Sequence, residues 1–234
     1  MRPTPRLALA AALFAALPAG AQPAPRGPSR ALEALAPSLY DSQPFLACLR
    51  VDARGRWKAR AFSSGRELEA LEPPCRGRGA LLIPLFPTVF APGQPGDAVY
   101  YDYILEGSGL RKGDKVLVVG PGSGADAWAA WLRTGALVYA VDVNPLAVAN
   151  TRATAQLAGF PVDAVQGDIS RMDLPEGFSG FDCVLWNMPF VNLRPNANPY
   201  ARYEFHDGDD GRVLAGFLKR LPALLKKGGK AVIL

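Results

Sequence analysis

The chain has 234 residues, of which 49% are hydrophobic and 20% charged, and a formal net charge of +5. That length holds one ordinary domain plus an appendage, and the composition excludes a disordered chain while supplying apolar mass for a core. The basic residues are scattered, with Arg26 and Arg30 towards the start and Lys226, Lys227 and Lys230 near the end. No basic run is interleaved with aromatics, so charge alone gives no argument for nucleic-acid binding.

In chain order, Arg2 and Arg6 precede the apolar run LALAAALFAAL at 7–17, and Ala19 and Ala21 follow as small residues. This is the layout of a secretory signal peptide over 1–21 with cleavage after Ala21, which predicts export to a periplasmic or secreted location. A mis-chosen start codon would produce the same letters and leave the protein in the cytoplasm. The run is too short to cross a bilayer, so no membrane span is expected. Residues 22–38 are rich in Pro and Ala and read as a linker. FLACLRV (45–51) and RWKARAF (56–62) flank DARG, a pattern that predicts a β-hairpin turning at Asp52–Gly55. PPCRGRG (73–79) interrupts, and ALLIPLF (80–86) reads as a further strand. Residues 22–87 therefore form a linker and a small, partly β segment, and 88–234 the core domain. Cys48, Cys75 and Cys183 are odd in number, with no CxxC and no neighbouring histidine, so no metal site is expected. Cys48 and Cys75 pair only in an oxidising compartment; Cys183 reads as a small buried hydrophobe.

From about residue 112 strands and helices alternate. KVLVVG (115–120), ALVYAVD (136–142), VDAVQ (162–166), FDCVLWN (181–187) and KAVIL (230–234) are short apolar runs suited to strands buried on both faces. Between them lie predicted helices at 125–134, 144–159 and 210–229. The second has Asn144 as N-cap, Pro145 at its first position and Gly159 as its stop; the third closes on Gly228 and Gly229 with Pro222 kinking it. The alternation implies an α/β fold, a Rossmann-like, doubly wound, mostly parallel sheet. The chain stops inside its fifth core strand. A raw hydrophobic edge is avoided in native sheets, so either the sequence is truncated here or another segment, such as the N-terminal hairpin, covers the edge.

Four stations carry chemistry. Gly120, Pro121, Gly122 and Gly124 sit at the tip of the first core strand, where glycines permit a tight turn and close approach of a ligand at a helix N-terminus. The same letters satisfy the looser dinucleotide pattern, with Ala125 in its last small position. Asp142, followed by Val143, ends the second strand, where a carboxylate accepts from both ribose hydroxyls of an adenosine moiety. Asp168, followed by Ile169, ends the third strand at the same edge. WNMPF (186–190) ends the fourth. There the Asn187 side-chain carbonyl and the Met188 backbone carbonyl suit a planar NH2 group, with Pro189 shaping the turn and Phe190 stacking on the π face. The remaining singular residues read plainly. His206 is a loop histidine, Tyr100, Tyr101 and Tyr103 pack a helix against the sheet, and Trp128 and Trp131 belong to the core.

The order of these stations over roughly residues 85–234 resembles the class I S-adenosylmethionine-dependent methyltransferases. NMPF is similar to the Asn-Pro-Pro-Tyr/Phe motif of the amino and amide methyltransferases. Within that group the chain resembles the release-factor glutamine methyltransferases and their small-domain relatives, which also carry a Gly/Asp-rich loop before the last helix, here HDGDDG (206–211). TVFAPGQPGD (88–97) resembles their loop that closes over the cofactor. The resemblance implies S-adenosylmethionine as cofactor, lined by Gly120, Pro121, Gly122 and Gly124. Asp142 and Val143 would lie at the ribose and Asp168 and Ile169 at the adenine. Asn187, Met188, Pro189 and Phe190 would form the catalytic acceptor pocket. It implies N-methyl transfer to a protein or nucleic-acid substrate. Val119 stands where many relatives have an acidic residue, and Met188 where the commoner motif has its first proline. Two other readings stay open at this level: an NAD(P)-dependent oxidoreductase, from the glycine turn and Asp142, and an exported, non-catalytic binding protein derived from a methyltransferase.

Overall fold

Apolar runs closed off by glycine and proline become the strands, and alanine-rich stretches capped by asparagine or glycine become the helices. In the computed structural model, residues 46–51, 57–62, 80–86, 88–92, 101, 103–188 and 211–233 are described. All of them fall in one compact unit, Gln43–Leu234. The expected signal peptide and linker, the hairpin turn at 52–55, Cys75, Tyr100, Pro189, Phe190 and the loop holding His206 lie outside the described residues.

Three strands precede the core: β1 (Leu46–Val51), β2 (Trp57–Phe62) and β3 (Ala80–Pro84). They form an antiparallel sheet in the order β2-β1-β3, with Leu46 opposite both Phe62 and Pro84. The hairpin is present as expected, and it gains a third strand on its other edge. Cys48 of β1 is disulfide-bonded and buried.

The larger sheet contains β4 (Val116–Val119), β5 (Val138–Asp142), β6 (Val162–Gln166), β7 (Phe181–Trp186) and β8 (Leu225–Ile233). Its order is β6-β5-β4-β7-β8, parallel throughout. The chain runs outward from β4 to β6, then returns to the other side of β4 with β7. That reversal makes the gap between β4 and β7 the switch point of a doubly wound sheet.

Because side chains alternate along a strand, the sheet is buried on both faces. Val116, Val118, Val138, Cys183 and Leu185 face one core, shared with α1 (Ala125–Thr134) and with Ala47, Leu49 and Ile83 of the small sheet. Leu117, Val119, Val141, Val184 and Trp186 face the other, closed by Phe217 and Leu224 of α3 (Arg212–Leu224). Burial pushes the Cys183 thiol up to about 11, in keeping with its reading as an inert hydrophobe. Trp128 is buried and Trp131 stacks on Phe160 at 5.7 Å. Among the tyrosines, Tyr101 is buried, whereas Tyr103 opens the π-helical turn Tyr103–Gly107 and is exposed. Only one of these two therefore packs inward.

The helix α2 (Pro145–Ala158) follows its caps closely: the Asn144 side chain accepts from the Leu146 N–H, Pro145 takes the first position, and Gly159 ends the helix with φ 71°. The last helix and strand differ from expectation. Helix α3 stops at Leu224, and β8 begins at Leu225 rather than Lys230, so the glycine pair lies inside the strand. A Cβ on Gly229 would sit 2.6 Å from the Phe181 carbonyl oxygen, and the ladder shifts register between Phe181 and Cys183. The glycines thus let β8 pass close against β7 through a bulge, and they do not cap the helix. Beside them Lys226 pairs with Asp182. The N-terminal hairpin pairs within its own sheet and not with β8. Among the described residues no helix is long and apolar enough to cross a membrane.

Candidate active site

The carboxyl ends of β4, β5, β6 and β7 carry all four expected stations, along the edge where open α/β sheets bind their ligands. Gly120, Gly122 and Gly124 have φ of 62°, 52° and 86°, a region that disfavours any side chain with a Cβ. Their N–H groups are all engaged: Gly120 donates to the Val141 carbonyl at 2.8 Å, Gly122 to Asp142 Oδ2 at 3.2 Å, and Gly124 to the Pro121 carbonyl at 2.8 Å. Helix α2 holds the turn from behind. Thr151 Oγ1 donates to the Gly122 carbonyl and Thr154 Oγ1 to the Ser123 carbonyl, at 3.2 and 2.7 Å.

The three glycines do different work. A Cβ on Gly124 would lie 3.0 Å from Thr151 Cα, so this glycine lets α1 and α2 approach. A Cβ on Gly122 would meet nothing nearer than the Gly120 carbonyl at 4.0 Å, which leaves an open side for a ligand. A Cβ on Gly120 would lie 3.6 Å from Trp186 Nε1, which places the indole beside the turn. Pro121, between them, is buried.

Asp142 accepts from the Asn144 N–H at 2.9 Å through Oδ1 and from Gly122 through Oδ2. Burial raises its pKa to about 6, against the lowering effect of the Asn144, Gly122 and Val143 amides. A carboxylate offers about four lone-pair sites, so acceptor capacity remains for a ligand hydroxyl. Val143, exposed, forms the rim beside it.

Two asparagines of the α2 region tie a distant segment to this edge. Asn144 Nδ2 donates to both the carbonyl and the Oγ1 of Thr88, at 3.0 and 3.2 Å. Asn150, wholly buried, donates to the Pro84 carbonyl at 2.7 Å and accepts from the Phe86 N–H at 2.8 Å. Thr88 has φ 64°, the one non-glycine residue with positive φ among those described, and this clasp holds it there. The start of the expected closing loop is therefore anchored beside Asp142; residues 93–97 lie outside the described part.

Asp168 stands just past β6, where the sequence places it, but its carboxylate is turned into its own loop. Oδ1 accepts from Ser170 N–H and Oγ at 2.9 and 2.6 Å, and Oδ2 pairs with Arg171 Nε at 2.9 Å. Ile169 is buried in the core below. At the end of β7, Asn187 is half-buried, and among the described residues its side chain makes no hydrogen bond. Met188 packs against the second core. Pro189 and Phe190 lie outside the described residues.

Trp186, Asn150 and Thr88 were not singled out for the site by sequence reasoning. Asn150 was visible as a signal, since Asn150, Thr151 and Thr154 put polar groups on one face of an alanine-rich helix. For Trp186 the signal was an aromatic with a polar edge, placed where the strand meets the motif.

These residues suit the adenosine part of a cofactor: Asp142 suits a ribose diol, and the open side of Gly122 admits close approach.

Residues 116–207 match a family described as "Methyltransferase domain". The chain is 30% identical over 156 residues to a Methanocaldococcus jannaschii protein named "Putative protein N5-glutamine methyltransferase", covering 65% of this chain and 74% of that one. It is also 30% identical over 195 residues to the "Ribosomal RNA small subunit methyltransferase C" of Chromohalobacter salexigens, covering 80% of this chain and 52% of that one. Among solved structures, an Aquifex aeolicus protein titled a SAM-dependent methyltransferase aligns with TM-score 0.42 and 22% identity, over 57% of this chain and 62% of that one. The chain thus spans about three quarters of the first relative and about half of the second.

Proposed function

Since the chain belongs to the S-adenosylmethionine-dependent methyltransferases, we propose that it methylates a planar nitrogen, an amide or exocyclic amino group of a protein or nucleic acid. The observation that carries this reading is Asn187, whose half-buried amide is unengaged among the described residues at the carboxyl end of β7, beside the switch point. The cofactor supplies, when bound, an electrophilic methyl group on a sulfonium. Asp142 holds the ribose diol and the open side of Gly122 receives the chain that follows it. The Asn187 side-chain carbonyl and the Met188 carbonyl accept from the two N–H bonds of the substrate's NH2 group, which fixes the nitrogen and draws it towards sp3 character. Catalysis of this kind is positioning and electrostatics, with no covalent enzyme intermediate. The names of the two relatives, one acting on glutamine in protein and one on ribosomal RNA, support both substrate classes.

The test is transfer of tritium from labelled S-adenosylmethionine to lysate fractions treated with nuclease or protease. Label lost only on protease treatment assigns a protein amide, and label lost only on nuclease treatment assigns a base. No uptake in any fraction removes the catalytic reading. A second reading, export of a non-catalytic binding protein, is supported by the disulfide at Cys48, because disulfides persist in oxidising compartments. Sequencing the mature N-terminus separates the two: Gln22 in a secreted fraction favours export, and full-length protein in the cytoplasm excludes it.

A further inference from the structure

The Trp186 indole carries a buried donor that makes no hydrogen bond among the described residues. Its ring is 4% exposed and packs edge-on against Phe217, with centroids 4.7 Å apart. The ring position is therefore fixed by packing in the second core. Its Nε1–H makes no hydrogen bond among the described residues, and it lies 3.6 Å from the point a Cβ on Gly120 would occupy. A buried donor without a partner costs stability, and native structures leave few of them unexplained. Here the donor lies beside the glycine turn, at the switch point between β4 and β7.

The rest of the edge decides what the donor meets. Asp142 fixes the ribose on the β5 side, and Asn187 marks the acceptor pocket on the β7 side. A cofactor laid from one to the other brings its amino-acid end past Gly120 and Gly122. That end carries a carboxylate, which needs donors; the amides of Gly120, Gly122 and Gly124 are committed within the protein, which leaves the start of α1 and the Trp186 indole to supply them. An indole nitrogen donates and does not accept, so it suits the carboxylate and not the ammonium. We propose that Trp186 Nε1–H binds the carboxylate of the methionine end of S-adenosylmethionine, making Trp186 a cofactor-binding residue at the acceptor edge. The proposal rests on the cofactor assignment above.

Trp186→Phe keeps an aromatic ring beside Phe217 and removes the donor, together with part of the indole's volume in the second core. Calorimetric titration of the full chain and this variant with S-adenosylhomocysteine, and with its decarboxylated analogue that keeps the amine, tests the assignment. The expected result is a loss of roughly 10- to 100-fold in affinity for S-adenosylhomocysteine. Affinity for the analogue should be unchanged, which separates loss of the donor from any loss of stability caused by the smaller ring. Equal weakening of both ligands, or of neither, overturns the proposal while leaving the cofactor assignment intact. If the unmodified chain binds neither ligand, the cofactor assignment itself falls, and the proposal with it. Should the variant not fold, the unmodified protein still gives an answer through its four tryptophan indole N–H signals. One of them should move downfield with S-adenosylhomocysteine and not with the analogue; signals that stay put overturn the proposal.

Discussion

The two halves of the site's edge are built in opposite ways. On the β5 side the polar side chains of Asp142, Asn144, Thr151 and Thr154 are tied to their own chain. Asp142 is held by two backbone amides, Asn144 caps a helix and clasps Thr88, and Thr151 and Thr154 hold the glycine turn. On the β7 side, Trp186 and Asn187 carry polar groups with no hydrogen bond among the described residues. The first half is held by its own hydrogen bonds, which presents a fixed shape at no cost in reorganisation. On the proposed reading the second half gains its hydrogen bonds from the ligand, which is where discrimination of the bound group would be strongest.

That contrast can be broken most severely at Asn187. Asn187→Ala should lower the rate of methyl transfer by about 100- to 1000-fold while leaving cofactor affinity unchanged in a calorimetric titration. Retained transfer would remove its role. The opposite pattern is expected at Asn150, whose loss strands the Pro84 carbonyl and the Phe86 N–H. Asn150→Ala should lower unfolding free energy by about 3 kcal/mol, read by urea denaturation. Two glycines of the turn sharpen the comparison within one loop. Gly124→Ala forces a contact on Thr151 at a positive φ and should cost about 2 kcal/mol of stability. Gly122→Ala, with open space around it, should cost about 1 kcal/mol and act mainly on cofactor affinity.

A pH dependence set by Asp142 tests the β5 side alone. Its folded pKa is raised from 3.8 to about 6. The sign for stability follows from that direction: protonation favours the folded state, so this group's contribution is fully present below pH 3.8 and is lost as pH rises through about 6. Cofactor binding has the reverse sign, since ribose hydroxyls need the ionised acceptor. Affinity should therefore fall by about tenfold between pH 7 and pH 5. Binding near pH 5.5 should release a proton, visible as a buffer-dependent heat in calorimetry. An affinity flat across this range would mean that Asp142 does not meet the diol as a carboxylate.

Much of the fold was legible from local signals. Asn144, Pro145 and Gly159 delimit α2 because caps act through neighbouring amides, and Gly135 ends α1 in the same way. The register of β8 was not legible. Gly228 and Gly229 resemble a helix stop until Phe181, far away in sequence, claims the space a side chain would fill. Within the site, the glycine turn, Asp142 and Asn187 could be read from motif order, because each motif names its own chemistry. The commitment of Asp168 to Ser170 and Arg171 could not, since the letters around an aspartate do not say which way it turns.

The sequence by itself determined the alternation of strand and helix, the parallel sheet and the four stations along its edge. Those are set by periods and spacings of a few residues. Only the tertiary structure decided that Gly124 packs helices while Gly122 stays open, that burial pushes the Asp142 carboxyl up, and that the Trp186 indole lies beside the turn with its N–H unengaged among the described residues. Each of those facts depends on what a residue meets from another element, and contacts between distant parts of a chain are made only when the sheet closes.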